Sequence, residues 1–173
     1  MKLSAVIPIY NEEMTIGPLL DKVLQVDIGE MEMEVIIAND GSTDASALII
    51  ERRRAIYPER IHVHSTPINL GKGAAVRLGL HYTTGDIIII QDADLELDPN
   101  EYGLLLQPIV TGQTDVVYGS RFLNRKQGNI PLRTRAANRF LTTLTNILFS
   151  GKLSDMETAY KVFRRLVFEG IKS

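Results

Sequence analysis

The sequence predicts an α/β fold in which a mostly parallel β-sheet is flanked by helices on both faces. Short apolar, β-branched runs alternate with helical patterns along the chain, and several runs end directly in polar residues. The clearest run, Asp86–Ile90, is too short to span a membrane and is typical of a buried parallel strand. Because ligands of open α/β sheets bind in the crevice above the carboxyl ends of the strands, the polar residues that follow strands are the candidate site residues.

The composition is that of an ordinary globular protein, and 173 residues are enough for one domain with a substantial core. We therefore expect a single domain over residues 1–173. Cysteine is absent, which excludes disulfides and thiolate metal sites. No stretch approaches the ~20 apolar residues of a transmembrane helix, and the N-terminus has no signal-peptide layout, so a cytoplasmic protein is expected.

A net charge of −2 conceals a strong asymmetry along the chain. Residues 1–120 hold 18 acidic and 8 basic residues, whereas residues 121–173 hold 3 acidic and 11 basic residues. The two segments are therefore expected to meet different partners. An acidic half that holds a metal and a basic half that faces it would suit substrates that carry phosphate, although a basic solvated surface is the simpler alternative.

The first strand is predicted over Leu3–Tyr10, with Pro8 near its end because proline cannot donate a ladder hydrogen bond. An amphipathic helix follows over Thr15–Val26. A second buried strand, Val35–Ala38, ends just before Asp40 and leads to a helix. At that position Asp40 could accept hydrogen bonds from a nucleotide base or ribose, or could stabilise its own turn.

A third strand is predicted over Ile61–His64, whose two histidines fall on one face. A half-exposed strand explains this alternation better than a metal pair does. The glycine-rich stretch Asn69–Ala75 then leads into a helix over Val76–Tyr82, and its Lys72 together with a helix N-terminus favours a phosphate. It matches neither the Walker loop nor the dinucleotide-binding fingerprint, so both are rejected.

The strand Asp86–Ile90 ends in an Asp-x-Asp pair formed by Asp92 and Asp94. Two hard oxygen ligands at this spacing suit Mg²⁺ or Mn²⁺, which share their remaining coordination positions with water and substrate phosphates. A solvated acidic turn is the alternative. A helix from Pro99 to Val110 and a strand over Asp115–Gly119 follow.

The basic segment contains an amphipathic helix that is predicted to begin at Pro131 and that carries arginines in its first turns. Such a helix can lie on an anionic bilayer surface, or it can pack on the sheet and offer arginines to a bound phosphate. The acidic cluster with Asp155 and Glu157 could position an acceptor or pair with these arginines.

Six motifs together resemble family 2 glycosyltransferases of the GT-A fold, a Rossmann-like fold, and especially the branch of dolichyl- and polyprenyl-phosphate mannose and glucose synthases. They occur in the order found in that family and cover nearly the whole chain. The motifs are Ile7–Glu13, Asn39–Asp44, Asn69–Gly73, Gln91–Leu95, Gly119–Phe122 and Asp155–Lys161.

The resemblance implies a nucleotide-sugar donor such as GDP-mannose or UDP-glucose, a divalent Mg²⁺ or Mn²⁺ ion, and transfer of a hexose to a polyprenyl or dolichyl phosphate with inversion. Asp92 and Asp94 would hold the metal on the diphosphate, and Glu96 matches the position of a third ligand. If the acceptor were a hydroxyl, Asp155 and Glu157 would be the candidate general bases. By family analogy the nucleotide pocket would be lined by Pro8, Tyr10, Glu12 and Asp40, and the donor diphosphate and acceptor phosphate would be held by Arg121 and Arg135.

Other functions remain open at this point. The chain could transfer to a soluble or glycan hydroxyl acceptor, or it could bind nucleotide sugars without turnover. That branch commonly carries a membrane-associated C-terminal region, whereas the sequence ends at Ser173 without one. We therefore expect a short or truncated member, for which membrane attachment stays open. It is expected in the cytoplasm, with peripheral contact to the cytoplasmic membrane face as one alternative, and without a nucleic-acid partner.

Overall fold

The structure, a computed structural model, describes residues 1–119, 143 and 160–172. The chain divides into two compact units, one formed by Met1–Val117 with Lys161–Ser173 and the other by Tyr118–Tyr160. Nearly all the described residues belong to the first unit. The prediction of a single domain over residues 1–173 stays a prediction.

The described part of the chain contains one six-stranded sheet with the strand order β3-β2-β1-β4-β6-β5. Strands β1 to β4 pair in parallel, and β6 pairs antiparallel with β4. The predicted mostly parallel sheet is therefore confirmed. The strands are β1 (Lys2–Ile9), β2 (Glu32–Asp40), β3 (Ile61–Thr66), β4 (Ile87–Ile90), β5 (Val116–Gly119) and β6 (Tyr160–Arg164).

Helices connect the parallel strands, as the alternation of apolar runs and helical patterns predicted. A 3-10 turn over Pro99–Glu101 precedes the fourth helix, and Asp98 caps this turn by accepting a hydrogen bond from the Asn100 backbone. The helices are α1 (Ile16–Gln25), α2 (Ser46–Ile56), α3 (Lys72–His81), α4 (Tyr102–Val110) and α5 (Arg165–Lys172). None of the helices in the described ranges is long and apolar enough to cross a membrane.

Both faces of the sheet are buried, which explains why its central strands are continuous apolar runs. On one face Val6 packs with Leu80 of α3, and Phe168 of α5 joins the same cluster. Successive side chains of a strand point to opposite faces. Ala5 and Ile7 therefore point away from α3, and both are completely buried. The predicted cover on both faces is confirmed.

Two elements differ from their predictions. Helix α3 begins at Lys72, one turn before the predicted start at Val76, because Gly73 and Ala74 continue the helical backbone. Glycine has a poor helix propensity, and its presence made the stretch look like a loop. Strand β6 was not predicted, and it aligns Lys161 with Ile90 at the end of β4. Its five residues mix charged and apolar side chains, so they lack the continuous apolar run of the central strands.

A buried carboxylate stabilises the sheet at the amino-terminal ends of its parallel strands. Glu34 of β2 is 2% exposed and forms an ion pair with Lys2 of β1, whose Nζ lies 2.6 Å from its Oε2. Its oxygens also accept hydrogen bonds from the Ser4 hydroxyl and from the backbone and hydroxyl of Thr84. This network joins two strands to the loop after α3, and it lies at the edge of the sheet opposite to the Asp-x-Asp pair.

Candidate functional site

A cavity of about 270 Å³ opens above the carboxyl ends of β1, β2 and β4. This is the place where open α/β sheets bind ligands. Its wall combines apolar side chains with four acidic side chains and one basic side chain. The lining residues are Pro8, Ile9, Tyr10, Glu12, Asp40, Asn69, Lys72, Ala75, Asp92, Ala93 and Asp94.

The loops after β1 and β2 are tied together by reciprocal hydrogen bonds. The backbone N–H of Asn11 donates to the Ser42 hydroxyl, and the Asn11 side-chain oxygen accepts from the Thr43 backbone at 2.8 Å. Asn11 has a φ of 55°, a left-handed conformation that asparagine tolerates better than most residues. The Glu12 backbone then donates to the Ser46 hydroxyl at the start of α2. These bonds fix the wall of the cavity that carries Tyr10 and Glu12.

Asp40 holds the glycine-rich loop in place. It is 2% exposed, and its carboxylate accepts hydrogen bonds from the backbone N–H groups of Leu70 at 2.9 Å and Gly71 at 2.7 Å. The Thr66 hydroxyl donates to the same carboxylate. The bonds that the structure shows for Asp40 therefore hold a loop thirty residues further along the chain, which is neither of the two roles predicted for it, whereas its own turn is closed by the Ser42 backbone donating to Asn39.

Gly41 allows the same loop to approach β2 closely. Its φ is +69°, and a Cβ at this position would lie 2.6 Å from the backbone carbonyl carbon of Ile68. Any larger residue would therefore be strained and would push the loop away from the end of β2.

The Asp-x-Asp loop is anchored by buried apolar side chains that alternate with its acidic residues. Ala93 and Leu97 are 5% and 3% exposed, whereas Asp94 is exposed. Leu95, which lies between Ala93 and Leu97 in the chain, adopts a φ of 62°. Such a backbone conformation is uncommon for a bulky residue and tends to occur at functional sites. The Asp94 carboxylate accepts a hydrogen bond from the Glu96 backbone at 3.1 Å, which holds this turn.

Lys72 and Asp92 form an ion pair inside the cavity, with 2.7 Å between Lys72 Nζ and Asp92 Oδ1. The lysine side chain is 66% exposed, so the pair is well solvated and easily opened. Lys72 also begins α3, where the backbone N–H groups of a helix N-terminus favour a negative charge. An ammonium group and a helix N-terminus thus face the cavity from one side, and two carboxylates face it from the other.

A buried polar pair lies directly behind the Asp-x-Asp loop. Gln91 and Tyr102 are both completely buried, and the Tyr102 hydroxyl donates to Gln91 Oε1 at 2.9 Å. Gln91 Nε2 in turn donates to the backbone carbonyl of Asp92 at 2.9 Å. No sequence pattern singled out Tyr102, because an aromatic residue at the start of a helix usually belongs to the core.

The carboxylates in the cavity fit a hard divalent cation. Asp92 and Asp94 supply oxygen ligands two residues apart, and oxygen is the donor that Mg²⁺ and Mn²⁺ prefer. Within the part of the chain that the structure describes, no three acidic or histidine side chains group closely enough to hold a metal on their own. A two-carboxylate site would leave coordination positions for water and for phosphate oxygens.

The structure brings most of the predicted site residues to one place. The predicted donor-binding residues Pro8, Tyr10, Glu12, Asp40, Lys72 and Asp92 all line the cavity, together with Asp94. Glu96 is not among the residues that line it. The other predicted site residues, Arg121, Arg135 and Asp155, lie outside the described residues.

Comparison with known proteins identifies the family. The family model described as Glycosyl transferase family 2 matches residues 4–171. The chain belongs to glycosyl transferase family 2. That match includes every motif on which the resemblance was based.

Curated family 2 relatives carry names from the polyprenyl-phosphate branch. The chain is 29% identical over 99% of its length to the dodecaprenyl-phosphate galacturonate synthase of Rhizobium johnstonii and covers 50% of that protein. It is 32% identical over 94% of its length to the dolichyl-phosphate β-glucosyltransferase ALG5A of Trichomonas vaginalis and covers 53% of it. The chain thus spans about half the length of the curated relatives it matches.

Solved structures show the same fold. The chain resembles the glucosyl-3-phosphoglycerate synthase of Mycobacterium tuberculosis, crystallised with Mn²⁺, UDP and phosphoglyceric acid, with a TM-score of 0.70 and 26% identity over 96% of this chain and 56% of that one. It also resembles the mannosyltransferase PcManGT of Pyrobaculum calidifontis, solved with GDP-mannose and Mn²⁺, with a TM-score of 0.69 and 19% identity over 98% of this chain and 46% of that one. The second likeness concerns the fold alone. The predicted GT-A class is therefore confirmed.

Proposed function

We propose that this chain is the catalytic domain of a metal-dependent, inverting glycosyltransferase that moves a hexose from a nucleotide sugar to a polyprenyl or dolichyl phosphate. The observation that carries this proposal is the cavity in which Asp92 and Asp94 face Lys72 above the strand ends. The names of the curated relatives support the lipid-phosphate acceptor.

In this proposal the nucleotide lies against the loops after β1 and β2, with Pro8 and Tyr10 as its apolar support. Asp92 and Asp94 would hold Mg²⁺ or Mn²⁺, which supplies a Lewis acid for the donor diphosphate when bound. The ammonium of Lys72 and the N-terminus of α3 would bind the phosphate oxygens, because both concentrate positive charge at that side of the cavity.

The reaction proposed is an in-line displacement at the anomeric carbon. The acceptor phosphate oxygen forms a bond to this carbon as the bond to the nucleoside diphosphate breaks, and the electron pair leaves with the diphosphate. A phosphate acceptor is already anionic, so it needs positioning more than deprotonation.

Arg121 and Arg135 are proposed to bind the donor diphosphate and the acceptor phosphate. Asp155 is proposed to position the acceptor, and it would act as general base for a hydroxyl acceptor. Glu96 is proposed as a further metal ligand.

A soluble acceptor is the second candidate. The solved glucosyl-3-phosphoglycerate synthase, 26% identical to this chain, was crystallised with phosphoglyceric acid, a small phosphate-bearing molecule. A lipid acceptor would bring the enzyme to the cytoplasmic membrane face, whereas a soluble acceptor would not require it.

A transfer assay separates the two acceptors. The protein is incubated with Mn²⁺, with radiolabelled UDP-glucose or GDP-mannose, and with either a short-chain polyprenyl phosphate in detergent or 3-phosphoglycerate. We expect the label to enter the organic phase with the polyprenyl phosphate. Label found only in a water-soluble product would favour the second candidate, and no transfer of either sugar to either acceptor would contradict the proposed activity.

Replacing Lys72 tests the basic side of the cavity. Lys72→Gln should weaken the binding of a nucleoside diphosphate in Mn²⁺ about tenfold, because one charge-assisted contact is lost. Mn²⁺ alone should bind more tightly to this variant than to the wild type, because it no longer competes with the ammonium for Asp92. Both affinities are measured by calorimetry, with Lys22→Gln on the exposed side of α1 as the charge-matched control. Unchanged affinities in Lys72→Gln would remove Lys72 from the site.

A further inference from the structure

Gln91 lies at the junction between the sheet and the Asp-x-Asp loop. Its backbone N–H donates to the Val6 carbonyl at 2.9 Å, which extends the pairing of β4 with β1 by one residue. Its side chain then bridges two other elements, since it accepts from the Tyr102 hydroxyl of α4 and donates to the Asp92 carbonyl. One residue therefore links β1 through its backbone, and α4 and the loop that carries the cavity's carboxylates through its side chain.

Stability alone does not explain a polar pair at this depth. A buried hydrogen-bonded pair contributes little net stability relative to an apolar pair of the same shape. The preceding strand consists of Ile87–Ile90, and a further apolar residue would continue that core. The polar pair instead determines the orientation of the Gln91 side chain. An amide that both accepts from Tyr102 and donates to Asp92 has only one orientation that satisfies both bonds.

The donor in this pair keeps its proton. Burial raises the pKa of Tyr102 well above its usual range, so the phenol stays neutral and donates to Gln91. The Asp92 carbonyl is held in turn, and the peptide that leads to Ala93 and Asp94 is held with it. The buried Ala93 and Leu97 then anchor the rest of the loop, although Leu95 between them adopts an unfavourable φ.

We propose that Gln91 and Tyr102 are positioning residues that orient the Asp92 and Asp94 carboxylates for a divalent cation. This inference rests on the proposed function, because it assigns the two carboxylates to a metal–diphosphate site. Outer-shell partners of this kind usually contribute 10- to 100-fold to metal affinity. Neither residue touches the cavity, so both act through Asp92.

The test compares one single and one double variant. Tyr102→Phe removes only the hydroxyl, and it leaves Gln91 Oε1 without that donor in a buried place. We expect the affinity for Mn²⁺ in the presence of UDP or GDP to fall about tenfold, and the melting temperature to fall by a few degrees. In the double variant Gln91→Met with Tyr102→Phe, both members of the pair are apolar. The melting temperature should recover in part, because the buried amide that lacked its donor is gone, but the Mn²⁺ affinity should stay low because the Asp92 carbonyl has lost the Gln91 bond.

Calorimetry of Mn²⁺ binding and thermal unfolding are measured on the same samples. Tyr57→Phe, at the half-exposed end of α2, is the control for loss of a tyrosine hydroxyl and should change neither quantity. A purely structural pair would let both quantities recover together in the double variant, and that result, or wild-type affinity in Tyr102→Phe, would overturn the proposal.

The outcome is distinguishable from a failure of the proposed function. If the wild type binds neither nucleotide, the donor assignment fails, but titration with Mn²⁺ alone still compares the wild type with the two variants. Absence of Mn²⁺ binding to the wild type would overturn the positioning role itself.

Discussion

Replacing Asp94 by asparagine is expected to reduce the affinity for an Mn²⁺–nucleoside diphosphate complex by about 100-fold or more while the fold stays intact. Loss of an outer-shell partner already costs 10- to 100-fold, and loss of a charged ligand should cost at least as much. The exposed Asp94 side chain accepts a hydrogen bond from the Glu96 backbone, and the asparagine oxygen can accept the same bond. The measurement is calorimetry with UDP and GDP in Mn²⁺, together with a thermal unfolding curve.

Asp27→Asn is a matched control for this variant. Asp27 accepts a hydrogen bond from the Gly29 backbone at 2.9 Å, two residues further on, just as Asp94 does from Glu96. It lies in the segment between α1 and β2, away from the cavity. The control should bind the metal–nucleotide complex like the wild type. Wild-type binding by Asp94→Asn, or an equal loss in both variants, would remove Asp94 from the metal site.

Replacing Glu34 by glutamine is expected to lower the free energy of unfolding by about 3 kcal/mol at neutral pH. The buried carboxylate of Glu34 accepts from Lys2, Ser4 and Thr84. In glutamine an NH₂ group, which donates, replaces one carboxylate oxygen, which accepts, so it would face a hydrogen-bond donor without forming a bond. The neutral amide would also leave Lys2 without its counter-charge. Chemical denaturation measures the change. Glu32→Gln, at the exposed first residue of β2, is the control and should change the free energy by less than about 0.5 kcal/mol.

The effect of Glu34 should depend on pH in a defined direction. Burial alone would raise the pKa of Glu34, but the hydrogen bonds from Lys2, Ser4 and Thr84 prevail and lower it from 4.5 to about 2. A depressed pKa in the folded protein means that the stabilisation is complete above pH 4.5 and is lost as the pH falls towards 2. Unfolding curves of the wild type and Glu34→Gln at pH 7, 4 and 3 should therefore converge as the pH falls. A difference that stays constant down to pH 3 would contradict the role of this ion pair.

Much of the fold could be predicted because its core strands carry their signal locally. The isoleucine run of β4 predicts a buried parallel strand by composition alone, and the polar residues after it predict the position of a site. The antiparallel strand β6 could not be predicted in this way. Its sequence Tyr160–Arg164 mixes charged and apolar residues, and its strand character depends on pairing with β4, which is distant in the chain.

The acidic residues and the lysine of the candidate site could be predicted, but the hydrogen bonds that hold them in place could not. Asp92, Asp94 and Lys72 were predicted from chemistry and spacing, and the structure places all three on one cavity. The hydrogen bonds that the Asp40 carboxylate accepts from the backbone of Leu70 and Gly71 join residues thirty positions apart, and no periodicity in the sequence predicts them. The same holds for Tyr102, which reaches Gln91 only because α4 folds back behind the loop.

The most direct test of the account is a calorimetric titration of the protein with UDP-glucose and with GDP-mannose, first in Mn²⁺ and then in EDTA. We expect that one donor binds in Mn²⁺ and that its binding disappears on chelation, because Asp92 and Asp94 act through the metal on the diphosphate. We expect Asp94→Asn to lose donor binding in the same way in Mn²⁺, without EDTA. Binding of a donor that persists unchanged in EDTA, or no binding of either donor by the folded protein in Mn²⁺, would contradict the account.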